Sequence, residues 1–124
     1  YLSGAELQAA FAVGDVFAFP SATETLGLVA LESFASGVPV VGTNAGGIPF
    51  VIEHEKTGLL VDEGATNEHW ARALCSLLEN PLARQRMRRA AREEAERYSW
   101  RESTKALVAA YEYACRHPYH HEQP

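Results

Sequence analysis

Three short apolar runs, Val16–Phe19, Pro39–Gly42 and Leu59–Val61, are separated by stretches patterned as helices. Apolar runs this short, without polar alternation, suit strands covered on both faces. Helices between successive strands imply right-handed crossovers and a parallel sheet, so the expected class is α/β and Rossmann-like. The helical stretches set the frame. Residues 4–13 place Leu7, Ala10 and Phe11 at helical spacing, and Gly14-Asp15 breaks the pattern. A second helix is expected from about Gly27 to Ser36, closed by Gly37 at a C′ position. The stretch Thr43–Pro49 is rich in turn residues, and a short helix is expected near Phe50–His54. Beyond Val61 the chain reads as helical. Thr66 or Asn67 can cap a helix to about Glu79, Pro81 opens another at a position proline favours, and Trp100 to about Arg116 forms the last.

Three strands are few for a doubly wound sheet. The chain also starts at Tyr1 and carries its only methionine at Met87. It is therefore expected to be the downstream part of something longer, with a partial domain over residues 1–116 and a loose tail over 117–124. Its 124 residues are 47% hydrophobic and 22% charged, with a net charge of −5. An acidic balance argues against a general nucleic-acid binder, whose footprint is usually basic. No apolar run approaches the roughly 18 residues that span a bilayer. Cys75 and Cys115 lack CxxC spacing and read as reduced thiols of a cytoplasmic protein.

The chemistry concentrates in Phe19–Gly47, FPSATETLGLVALESFASGVPVVGTNAGG. Open parallel sheets take ligands outside the C-terminal ends of their strands, and the loops Pro20–Leu26, Thr43–Pro49 and Asp62–Ala65 should gather there. The amides and dipole of a helix starting near Gly27 would attract an anion. Gly46-Gly47 offers a second flexible loop at the same rim. Glu32 is the only charged residue of the helix LGLVALESFAS, which should be buried if it is apolar nearly all round. A buried carboxylate is costly unless hydrogen-bonded, so Glu32 reads as an acceptor for a vicinal diol such as a ribose. The competing reading puts it on an exposed stripe with Ser33 and Ser36. Glu24 sits in the preceding loop, either to hold sugar hydroxyls or to complement the helix dipole.

The pattern PS-x-x-E-T-L-G-L-V-x-L-E-x-x-A-x-G-x-P-V-V-x-x-x-x-G-G-I-P, with seven residues between Glu24 and Glu32, resembles the signature of family 4 of the retaining glycosyltransferases, which have the GT-B fold. The similarity runs over roughly residues 4–112, through KTGLLV and the closing Tyr98-Ser99-Trp100. The resemblance implies the C-terminal, donor-binding domain, incomplete on its N-terminal side, of an enzyme that moves a hexose from a nucleotide-sugar to an acceptor hydroxyl with retention. It implies that Glu24 contacts donor-sugar hydroxyls, with a catalytic role conceivable. It further implies that Thr25, Leu26, Gly27 and Leu28 form the turn against sugar and diphosphate, that Glu32 binds ribose, and that Gly46 and Gly47 share that rim. A UDP-sugar is the expected donor, with ADP- or GDP-sugar as alternatives. No metal is expected, and the sequence holds no Asp-x-Asp motif. Members commonly carry an acidic residue after the proline of GGxP, where this chain has Phe50; Glu53 could compensate if that segment is helical. The family's Arg and Lys pair near the diphosphate has no match here, for no lysine or arginine precedes Lys56.

The wording TETLGLVALE with GGIP is similar to sulfoquinovosyl- and other lipid-directed members, which implies a lipid or glycan acceptor, a membrane surface or plastid as location, and a partner N-terminal acceptor domain. Without that domain the piece is expected to be inactive. Alternatives are a stand-alone nucleotide-sugar-binding module, or a GT-B epimerase or phosphorylase; the latter would need pyridoxal phosphate on Lys56 or Lys105. Arg84, Arg86, Arg88, Arg89 and Arg92 form a basic run that reads as a solvated face, paired as Arg89–Glu93 and Arg92–Glu96, rather than a peripheral membrane contact. His117, His120 and His121 read as tail rather than metal ligands, and Trp70 and Trp100 as helix-packing anchors.

Overall fold

The computed structural model describes residues 2–117. Helix α1 (Gly4–Ala12) leads to strand β1 (Phe17–Phe19), helix α2 (Leu28–Ala35), strand β2 (Val40–Asn44), a 3₁₀ turn (Ile48–Phe50), strand β3 (Gly58–Asp62), and helices α3 (Asn67–Leu78), α4 (Pro81–Glu96) and α5 (Trp100–Arg116). The strands form one sheet in the order β1-β2-β3, parallel throughout. Phe17 lies opposite Val40, and Val40 opposite Gly58. The expected α/β class with a parallel sheet is what the chain forms.

Strand β2 runs two residues past the apolar stretch. Thr43 and Asn44 were expected to turn, but they pair with Val61 and Asp62 of β3. The ladder supplies their backbone partners, so polar side chains do not end the strand. The expected helix at Phe50–His54 is instead the 3₁₀ turn that finishes at Phe50. Beyond it, the Glu53 amide donates to Thr57 Oγ1 at 2.9 Å, and Thr57 is buried. Glu53 is therefore outside any helix.

Alternation along β2 splits the core. Val40 joins Ala30, Phe34, Ile48, Val51, Ile52 and Ala91, while Val41 joins Val61, Leu77 and Met87. Successive strand residues face opposite sides, so α2 and α3 cover opposite faces and α4 contributes to both clusters. Helix α2 ends as expected at Gly37, whose φ of 69° only glycine adopts freely. The Gly37 amide donates to Phe34 O and the Val38 amide to Ser33 O, the two bonds of a Schellman motif. Asn80 Oδ1 accepts from the Ala83 amide at 3.0 Å and caps α4 ahead of Pro81.

Trp70 packs against the second cluster. Trp100 does not pack: it is 89% exposed, and no residue of α5 is buried. The helix-anchor reading of Trp100 is thus corrected. Trp100 is the first residue of α5, just after the Ser99 cap. Among the described residues, no helix is long and apolar enough to cross a membrane. Most of the tail expected at 117–124, with His120 and His121, lies outside the described residues.

Candidate functional site

A parallel sheet brings the ends of its strands to one rim. At that rim Asn44 Nδ2 donates to Asp62 Oδ1 at 3.2 Å, joining the loops that follow β2 and β3. The loop after β2 also meets the loop after β1: the Gly47 amide donates to Glu24 O at 2.7 Å. This contact depends on glycine. A Cβ at Gly47 would stand 2.0 Å from Thr25 O, and one at Gly46 2.6 Å from Glu24 O. The pair therefore serves close packing of the two loops, in addition to the flexibility expected of it.

Gly27 forms the N-cap of α2 rather than its first turn, with φ 78°. Its carbonyl accepts from the amides of Ala30 and Leu31. Its own amide donates to Glu24 Oε1 at 3.3 Å. The Glu24 carboxylate therefore lies against the backbone just before the start of α2. Among the described residues no acceptor lies on the Leu28 and Val29 amides, which remain directed out of the helix start. Thr25, Leu26 and Leu28 are exposed around them, and Gly27 is buried.

Helix α2 is not buried all round. Ala30, Ser33 and Phe34 face the core, whereas Leu28, Glu32 and Ala35, at i, i+4 and i+7, share an open face. The burial expected of Glu32 and the exposed stripe expected to join it to Ser33 both need correction. Glu32 is exposed rather than buried, and it does not share a stripe with Ser33, whose hydroxyl is buried and donates to Val38 O at 2.9 Å. Glu32 stands between two clefts. One, of about 550 Å³, lies between α1 and α2 and includes Gln8, Phe11, Glu32, Ser36 and Arg92. The other, of about 430 Å³, includes Leu26, Leu31, Glu32, Tyr98 and Trp100.

Phe50 is 82% exposed beside this rim, next to Val51, whose methyl packs near Gly27. The helix on which a compensating role of Glu53 was conditional does not form, and the Glu53 carboxylate holds Lys56 Nζ at 2.7 Å. That hydrogen bond, with the charge of Glu53, raises the Lys56 pKa above its ordinary value. Lys105 is likewise paired, with Glu102 at 2.8 Å. Among the described residues, no cluster of three or more His, Cys, Asp or Glu has the arrangement of a metal site. Cys75 and Cys115 are exposed, free thiols.

The arginines of α4 are where sequence reasoning missed most. Arg84 donates to Leu77 O and Leu78 O at the end of α3, both at 2.8 Å. Arg88 donates to Gly37 O at 3.0 Å and Arg92 to Ala35 O, at the end of α2. Arg84 and Arg88 also approach Asp15. Only Arg86 and Arg89 of the run are directed to solvent without such contacts. The Arg92–Glu96 pair forms at 2.9 Å, and Arg89–Glu93 is not among the ion pairs of the described residues. The signal was present: 84, 88 and 92 fall on one helical stripe.

A thin parallel sheet flanked by helices, with glycine-bearing loops at the C-terminal rim, is a Rossmann-like α/β unit. Residues 1–94 match the family model described as glycosyl transferases group 1, and the chain belongs to that family. It is 48% identical over 106 residues to the sulfoquinovosyl transferase SQD2 of Arabidopsis thaliana, covering 83% of this chain and 21% of that protein. It is 44% identical over 108 residues to the D-inositol 3-phosphate glycosyltransferase of Saccharomonospora viridis, covering 87% of this chain and 25% of that one. The chain therefore spans about a quarter of the length of these curated relatives. Among solved structures, it is similar to Anabaena HepE in complex with UDP-glucose, with a TM-score of 0.69 and 28% identity over 76% of this chain and 26% of that one. Sucrose-phosphate synthase of Thermosynechococcus elongatus gives 0.77 and 29% over 86% and 27%. The architecture is that of the GT-B glycosyltransferases, as the resemblance implied.

Proposed function

We propose that this chain is the donor-binding part of a retaining glycosyltransferase and takes a nucleoside-diphosphate sugar, a UDP-sugar first, at the rim formed by Glu24–Leu28, Glu32 and Gly46–Gly47. The observation that carries the reading is the arrangement along α2. The Leu28 and Val29 amides point out of its start, and Glu32 lies on its open face one turn further on. Helical rise sets Leu28 and Glu32 about 6 Å apart along the axis, a span that suits a diphosphate joined to a ribose. The amides and helix dipole favour the diphosphate, and the charge it gains on departure. The Glu32 carboxylate accepts hydrogen bonds from the ribose diol. Glu24 exchanges the Gly27 amide for a sugar hydroxyl. The UDP-glucose complex of HepE supports this choice of ligand. Transfer of a hexose with retention, to a lipid or glycan hydroxyl presented by another domain, is part of the same proposal, as is work at a cytoplasmic membrane surface. The paired states of Lys56 and Lys105 favour it over a phosphorylase that uses a lysine Schiff base.

The test is an amide-resolved NMR titration with UDP-glucose. Saturable shifts at Gly27, Leu28 and Val29, with the α3 amides unmoved, are expected. A titration that leaves those three amides unperturbed would contradict the reading.

A further inference from the structure

Helix α2 has eight residues and lies between two glycines of positive φ, Gly27 at 78° and Gly37 at 69°. At the Gly37 end the helix is closed by the Gly37 amide on Phe34 O and the Val38 amide on Ser33 O. The core grips α2 through the apolar contacts of Ala30 and Phe34, and the buried Ser33 hydroxyl adds a bond to Val38 O at the end of the helix. Rotation of α2 about its own axis decides where the Glu32 carboxylate points, and hydrogen bonds fix rotation more sharply than apolar contacts do.

Two such bonds come from α4, more than fifty residues on. Arg92 Nη1 donates to Ala35 O and Arg88 Nε to Gly37 O at 3.0 Å. Each guanidinium also meets a carboxylate through a second nitrogen: Arg92 with Glu96 at 2.9 Å and Arg88 with Asp15 at 3.5 Å. The planar fork of arginine suits such double engagement, whereas an ammonium is a point charge on a flexible stem. Ala35 follows Glu32 on the same open face, and Glu32, Ala35 and Arg92 line one cleft.

We propose that Arg92, seconded by Arg88, is a positioning residue for the nucleotide site: it fixes the rotation of α2 and thereby aims Glu32 at the ribose diol. The inference rests on the nucleotide reading above. Arg92 acts through the Ala35 carbonyl rather than on the ligand, so its signature is lost ribose discrimination rather than lost binding of the diphosphate.

The experiment compares the affinities of this chain for UDP and 2′-deoxy-UDP by calorimetry, with the melting temperature of each variant measured alongside. The wild-type chain is expected to prefer UDP by about 10-fold, the scale of one hydrogen bond to a charged acceptor. Glu32→Gln should abolish most of that preference. Arg92→Ala should reduce it to less than about 3-fold while the chain still melts cooperatively, and Arg92→Lys should restore part of it by donating to Ala35 O. An Arg92→Ala preference equal to that of the wild type, whatever its melting temperature, overturns the inference. If Arg92→Ala does not fold, Arg88→Ala removes the Gly37 bond together with the Asp15 pair and is read in the same way. A wild-type chain that binds UDP without preferring it, and is indifferent to Glu32→Gln, overturns the ribose reading and this inference with it. An Arg92→Ala chain that loses preference while Glu32→Gln keeps it assigns the ribose elsewhere and overturns the positioning role.

Discussion

Glu24 carries two hydrogen bonds that tie the rim together, one through its carboxylate to Gly27 and one through its carbonyl to Gly47. Residue type and spacing made Glu24 and Glu32 legible as candidates. Exposure of Glu32 was one of two readings, and the pattern could not choose between them, because the exposed face of α2 is built from Leu28 and Ala35, apolar residues that periodicity assigns to a core. The glycines were legible as rim residues, but the need for them is steric. Gly47→Ala would drive a methyl onto Thr25 O, 2.0 Å from where it must stand. The two loops must then part. That substitution should lower the melting temperature and weaken UDP binding together, and calorimetry of both properties on one sample checks it. A Gly47→Ala chain with wild-type stability would mean that the loops do not pack as described.

Among the elements, α2 and α4 act as a pair. Phe34 is fully buried between them and the sheet, and Phe34→Ala should cost about 3–5 kcal/mol in urea unfolding, as large-to-small core changes do. Asn80→Ala removes the α4 cap and should cost about 1 kcal/mol by the same measurement. Helix α4 also shows where sequence reading fails. Five arginines followed by glutamates look solvated when only their own helix is considered. Arg88 and Arg92 find partners at the end of α2, more than fifty residues away, Arg84 and Arg88 approach the equally distant Asp15, and Arg84 reaches back across the turn to the end of α3. The turn at Glu53–Lys56 has a pH signature. The Lys56 pKa is raised by Glu53, so what the pair contributes is whole below the unfolded-state lysine value and is lost as pH rises from there through the raised folded-state value. The pair is exposed, so Lys56→Met should leave the unfolding midpoint at neutral pH nearly unchanged.

For the whole molecule, the alternation of apolar runs and helical stretches was enough to give a parallel α/β sheet, because covered strands and crossover helices leave few other solutions. The exposure of α5 was not legible. Its residues from Trp100 to Tyr113 have an amphipathic pattern that predicts packing, yet Leu107, Val108 and Tyr111 are half exposed or more. Leu107→Ser should therefore change the stability of this chain by no more than about 0.5 kcal/mol, as surface positions do. The central claim concerns the nucleotide, and calorimetric titration of UDP into the wild-type chain and into Glu32→Gln tests it most directly. Saturable binding that weakens by about 10-fold or more in the variant, with both proteins equally folded, is the predicted result. Equal affinity in the two proteins, or no binding to either, would contradict it.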